Sequence, residues 1–214
     1  MNVLSRAALA ATLAATPALA AAQAPDIEVR LPVAASRATE APFTRTAGLL
    51  RSPPMNDLMR NGFPARIRYK IERWAVGGWA DDLRATREWN VIVRYDQLAG
   101  VFTVVRVFRG TATTLGETGS IMGADSIVAR LTRTPMPPPR RGERSYYTLS
   151  VELEMLSMGD LDELENWLRG EFRPAVRGEK NPGTAVTRGI RTLVVRLLGG
   201  EKRRYEARSP VFTP

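Results

Sequence analysis

The sequence contains no cysteine and no histidine, and the two absences exclude a great deal of chemistry. There is no disulfide, no thiolate nucleophile, no zinc site built on Cys or His, and no Ser-His-Asp or Cys-His arrangement. An enzyme on this chain has to run on carboxylates, lysines, tyrosines or a hydroxyl. Lysine is scarce as well: of 31 basic residues, only Lys70, Lys180 and Lys202 are lysines. The apolar run at the start is too short to cross a bilayer.

That run, "MNVLSRAALAATLAATPALAAAQAP", has one cation at Arg6 and small residues at Ala18, Ala20 and Ala22. It reads as a signal peptide over residues 1–22, cleaved after Ala20 or Ala22. The expected location is the periplasm of a double-membraned cell, or the outside of a single-membraned one. With no cysteine to carry a lipid, the processed chain is expected not to be an integral membrane protein, and export makes nucleic acid an unexpected partner. Roughly 190 residues then remain, ample for one core.

The charge is +9 at neutral pH, and removing Arg6 with the signal leaves +8. The arginine excess is read either as a coding bias or as attraction to an anionic surface.

Along the chain, "DIEVRLPV" puts Ile27, Val29 and Leu31 on one side of a first strand, followed by the polar linker "AASRATEAPFTRTAG". "SPPMNDLMRNG" reads as a short helix capped by Ser52, with prolines in its first turn and Gly62 as its stop. From Phe63 the period is two, with Ala65, Ile67, Tyr69 and Ile71 on one face. It resumes through Leu83, Ala85, Trp89, Val91, Val93 and Tyr95. The double glycine between these runs predicts a hairpin with a three-residue loop, Val76-Gly77-Gly78, and a left-handed Gly78. In that register Arg73 faces Asp81, Arg66 faces Glu88 and Lys70 faces Arg84. Asp81 and Asp82 are candidate acid/base groups, although neighbours on a strand point to opposite faces. A strand as long as Trp79 to Tyr95 calls for a bulge.

"VFTVVRVF" has apolar residues on both faces, as a strand covered on two sides would. After a Gly/Thr-rich segment, Ile121, Ala124, Ile127, Val128 and Leu131 keep helical spacing, and "TPMPPPRRGERS" reads as an extended proline linker. "YYTLSVELEML" is the clearest strand, with Tyr147, Leu149, Val151, Leu153 and Met155 inward and Glu152 and Glu154 outward. The two glutamates are either a solvated face or acid/base candidates. Capping signals predict helices over 160–169 and 182–198. Asp160, Asp162 and Glu163 lack the ligand spacing of a calcium loop. The last helix gathers Val186, Ile190, Leu193, Val194 and Leu197 opposite Arg188, Arg191 and Arg196. Such a helix packs on a core or lies on a membrane surface. Its arginines, with Arg203 and Arg204, are the candidate contacts to an anionic surface. "RRYEARSPVF" closes the chain as an edge strand with Pro210 at its end.

The helix before "NGFPARIRYKIE", the "REWNVIVRYDQLAGVFTVVR" hairpin, "YYTLSVELEML" with "SMGDLDELENWLRGE", and the closing "YEARSPVF" together resemble an exported bacterial family, domain of unknown function 4390, over roughly residues 46–212. The resemblance implies an envelope domain and brings no catalytic residues with it.

The expected fold is α+β, an antiparallel sheet or sandwich of about six or seven strands with three or four packed helices. The helices are expected over 52–61, 120–131, 160–169 and 182–198. Residues 23–45 form an N-terminal strand and linker, and residues 46–214 one domain. The expected function is a non-enzymatic binding or assembly module of the cell envelope, without cofactor or metal, whose partner is an envelope protein or an anionic membrane surface. The alternatives are a carboxylate-dependent hydrolase of envelope polymers using Asp81, Asp82, Glu152 or Glu154, and a membrane-surface protein using the basic helix.

Overall fold

Strict alternation from Ala65 to Ala75 and from Ser145 to Met155 leaves every odd side chain in these runs apolar or partnered inside. The two segments pair side by side as the middle of a sheet. A computed structural model describes residues 24–156 and 202–214. In chain order its elements are β1 (Asp26–Arg30), β2 (Phe43–Ala47), α1 (Pro53–Arg60), β3 (Ala65–Ala75), β4 (Asp82–Asp96), β5 (Val101–Phe108), β6 (Thr111–Thr118), α2 (Ile121–Val128), β7 (Thr132–Arg133), β8 (Ser145–Met155) and β9 (Arg203–Arg208).

All pairings are antiparallel. One sheet has the order β6-β5-β4-β3-β8-β9 and a smaller one the order β1-β2-β7. The small sheet and both helices cover the inner face of the large sheet. Val29, Leu50, Met55, Met59, Ala124 and Ile127 meet Ile67, Val93, Phe102, Leu149, Val151 and Leu153 in one apolar cluster. The fold is mainly β. The described residues hold two α-helices where three or four were expected, and the spans 160–169 and 182–198 lie outside them.

Several expectations are corrected. The segment read as a linker contains β2, and its inward residues are Thr44 and Thr46, buried but polar, so apolar alternation could not reveal it. Thr46 Oγ1 lies 2.9 Å from the Tyr69 hydroxyl. The Gly/Thr-rich segment is β6. Arg109 (φ 49°) and Gly110 (φ 80°) form the two-residue turn before it, and positive φ at both positions is the primed geometry that matches strand twist. Leu131 is not on the α2 stripe: the helix ends at Val128, and Leu131 is exposed. Ser120 caps α2 by accepting from Gly123 N at 3.1 Å, whereas Ser52 makes no capping hydrogen bond for α1.

The β3–β4 hairpin pairs odd with odd as expected, but in a different register. Lys70 faces Glu88, Ile71 faces Arg87 and Arg73 faces Ala85. The ladder then shifts to Trp74 opposite Leu83, which leaves Arg84 as the extra residue of a bulge, and the loop runs from Val76 to Asp81. Gly78 is not among the residues with positive φ. This register sets Tyr69 against Trp89, with rings 5.0 Å apart and 3° from parallel. Such a pair contributes about 0.5–1.5 kcal/mol beyond burial. It also replaces the expected Lys70–Arg84 repulsion by an opposite-charge pair.

β5 carries Phe102, Val104 and Phe108 inward. Val105 and Val107 sit on the other face with Ile92 and Leu156 as a small second cluster. Asp125 on α2 is 2% exposed. Its carboxylate accepts from Gly48 N (3.0 Å), Leu50 N (3.2 Å) and Arg51 Nε (3.1 Å), tying the chain between β2 and α1 to the helix.

Two tyrosines in this core make stability fall in alkali. Burial pushes the Tyr147 hydroxyl up to about 12, with Arg73 opposing, and pushes Tyr69 further up, with the Thr46 hydrogen bond opposing. Both folded values lie above the ordinary 10.0, so the folded chain holds protons the unfolded chain has lost. The stability these groups contribute is whole below about pH 10. It is lost at up to about 1.4 kcal/mol per pH unit per tyrosine as the pH rises toward the folded values. Tyr147→Phe should flatten this decline between about pH 10 and 12 in denaturant titrations. Equal slopes for variant and parent would reject the role of burial.

Candidate functional site

The outward positions of β3, β8 and β9 form a charged ladder because opposite charges stand opposite each other in register: Arg66 faces Glu154 and Arg68 faces Glu152. Arg66 Nε donates to Glu154 at 2.6 Å. Glu152 is approached by Lys202 at 2.8 Å, Arg68 at 3.7 Å and Arg204 at 4.0 Å. The Lys202 ammonium that hydrogen-bonds Glu152 holds its carboxyl below the ordinary range, with Arg68 and Arg204 adding to the effect and partial burial opposing it. An anion stabilised in this way is a poor proton donor. The charges on this face therefore neutralise one another locally.

The other two candidate carboxylates lie at the hairpin loop and do not converge. Asp81 accepts from the Tyr146 hydroxyl at 2.9 Å and from Gly77 N at 3.2 Å. Asp82 pairs with Arg84 at 3.4 Å. Burial first, and then the Asp81 carboxylate, push the Tyr146 hydroxyl above its ordinary value. Arg84 also reaches Glu143 at 3.1 Å, and Glu143 receives Arg73 Nη1 at 2.7 Å. Each of the four candidate acids is thus engaged by a cation or a hydrogen-bond donor.

Of the candidate surface arginines, Arg203 and Arg204 lie exposed on β9, with Arg204 2.8 Å from Glu206. Arg188, Arg191 and Arg196 lie outside the described residues. Among the described residues, no group of three or more acidic side chains is placed to hold a metal, and no helix is long and apolar enough to cross a membrane.

A cleft of about 400 Å³ runs between β3, β8 and β9, lined by Glu72, Trp74, Tyr146, Thr148, Arg204 and Arg208. Trp74 and Tyr146 stack across the strands at 6.4 Å and 8°, and the Arg208 guanidinium covers Tyr146 at 3.7 Å from its centroid. Trp74 Nε1 is spent on Thr148 Oγ1 at 3.2 Å. Neither face of the Tyr146 ring is free to stack on a sugar.

The feature that strand periodicity missed is the hairpin tip. Trp79 is 100% exposed, and Leu83 beside it is half exposed. The sequence did carry a signal: a tryptophan after two glycines in a hairpin loop belongs to neither alternating face. No protein-family model, curated protein or solved structure matches this chain.

Disrupting the charged ladder should cost little. Glu154→Gln is expected to lower unfolding free energy by no more than about 1 kcal/mol, because the pair with Arg66 stays partly in water. A urea midpoint shift equivalent to several kcal/mol would mean that the ladder is a structural network rather than a solvated face.

Proposed function

We propose that this chain is an exported protein of the bacterial envelope, acting as a binding or assembly module rather than as a catalyst. The supporting observation is the separate engagement of Asp81, Asp82, Glu152 and Glu154, each held by its own cation or hydrogen-bond donor. Such acids are available for structure and recognition, not for paired proton transfer. The opening segment supports export, and the motif order supports the resemblance to the exported family of unknown function. The partner is an envelope protein or an anionic membrane surface.

Two measurements test this reading. Protein recovered from its native cells should start at Ala21 or Gln23 and fractionate with the periplasm; cytoplasmic protein retaining Met1 would overturn export. The purified chain should release no product from peptidoglycan or glycan fragments. Turnover that Glu152→Gln, Glu154→Gln or Asp81→Asn abolishes would establish the hydrolase instead.

A further inference from the structure

The loop from Val76 to Asp81 is built to hold an aromatic side chain out in solvent. Three hydrogen bonds fix it: Val76 N donates to Arg144 O at 2.8 Å, Gly77 N to Asp81 Oδ1 at 3.2 Å, and the Tyr146 hydroxyl to Asp81 Oδ2 at 2.9 Å. A Cβ at Gly77 would stand 1.8 Å from Ala80 O, so the loop closes this tightly only around glycine. Among the described residues Trp79 nevertheless packs on nothing. A surface tryptophan on a well-held loop exposes apolar area to water at a cost that contact with an apolar partner would relieve.

The surroundings give the chemistry of what covers it. Arg144 adjoins Val76 through the backbone, Gly142 bends the preceding turn with φ 76°, and Arg140, Arg141 and Arg144 are exposed around that turn. Of the acids at this end, Glu143 sits between Arg73 and Arg84, Asp81 is held by Tyr146 and Gly77, and the exposed Asp82 pairs with Arg84. An indole with an apolar body and a polar N–H, on a loop bonded to a turn that carries the exposed Arg140, Arg141 and Arg144, matches the boundary between headgroups and acyl chains of an anionic bilayer. One tryptophan and one leucine are too little for a protein interface of standard size, roughly 800 Å² per partner. They are enough for a reversible interfacial contact reinforced by charge.

We propose that the Val76–Asp81 loop is an interfacial anchor: Trp79 inserts at the surface of an anionic lipid bilayer while Arg140, Arg141 and Arg144 bind its headgroups. This names the partner class within the binding-module reading and depends on export only for which membrane is met. The site lies on the hairpin and the adjoining turn and uses none of residues 182–198.

The test uses the full chain with vesicles of phosphatidylglycerol and phosphatidylcholine, and with phosphatidylcholine alone. Each variant is compared with its parent, so contributions from other segments cancel. Trp79→Ala should weaken partitioning onto anionic vesicles roughly tenfold and leave the melting temperature unchanged, since the side chain supports no packing. Arg140→Glu with Arg141→Glu should weaken it further on anionic vesicles, by at least roughly fivefold per arginine at low salt, and have no effect on phosphatidylcholine. The fluorescence lost in Trp79→Phe isolates the signal of Trp79 from the other tryptophans; with bound vesicles it should shift to the blue and be quenched by brominated lipid. Unchanged partitioning of Trp79→Ala, or a Trp79 signal unaffected by vesicles, would overturn the anchor and direct attention to a protein pocket for the same side chain. Either result leaves the binding-module reading to be judged by the turnover and localisation measurements.

Discussion

Asp125→Ala is expected to lower unfolding free energy by about 3–5 kcal/mol, among the largest effects of any single change in the described residues. The carboxylate is buried on α2, and its three donors belong to the chain between β2 and α1. Truncation leaves the N–H groups of Gly48 and Leu50 without their acceptor, at about 1–3 kcal/mol for each group that stays dry. It also removes the Arg51 pair, whose guanidinium is mostly in water and adds little. Asp125→Asn, which keeps one oxygen, should fall between variant and parent, and Arg51→Ala should cost about 1 kcal/mol or less. Urea unfolding followed by circular dichroism measures all three. A loss under about 1 kcal/mol for Asp125→Ala would mean that the segment after β2 is held by apolar contacts alone.

Phe102→Ala should cost about 3–5 kcal/mol, while Val107→Ala on the same strand should cost about 0.5–2 kcal/mol. Phe102 is fully buried, its ring 4.6 Å from that of Tyr95, with the Arg60 guanidinium over both. Its removal opens a cavity between the layers that these neighbours cannot fill. Val107 belongs to the small cluster on the opposite face, where collapse is easier and less area is lost. Equal losses at the two positions would mean that β5 separates two comparable cores, and the description of one core with an outer satellite would fail.

The contrast on β5 shows what the sequence disclosed and what it withheld. The strands β3 and β8 were legible because a period of two with apolar inward residues has no competing explanation over eleven positions. β2 was hidden because its inward residues are threonines, of which Thr46 meets the Tyr69 hydroxyl inside, and β6 because threonine and glycine blur the alternation. The hairpin register was misread because a double glycine suggests a tight loop, whereas the Tyr69–Trp89 stack and the bulge at Arg84 decide the pairing. At the candidate site, alternation placed Glu152 and Glu154 outward correctly. It could not say that Lys202 and Arg204, just before and within a strand far along the chain, would clasp Glu152. Asp125 was silent for the same reason: its partners lie 74 to 77 residues away.

The position of β3 at the middle of the large sheet governs when this protein can finish folding. Its partner on one side, β4, is next in the chain, but Arg66 and Glu154 on the other side are 88 residues apart. A chain emerging amino-terminus first can assemble β3, β4, β5 and β6 as a local meander, yet β3 keeps a bare edge and a half-covered apolar face until β8 arrives. Closing so long a loop is slow. If the chain is exported as proposed, that delay would favour passage through a translocation channel as an extended polymer. It also makes the waiting edge of β3 the place where two incomplete copies would stick together, and where a chaperone would gain most by binding.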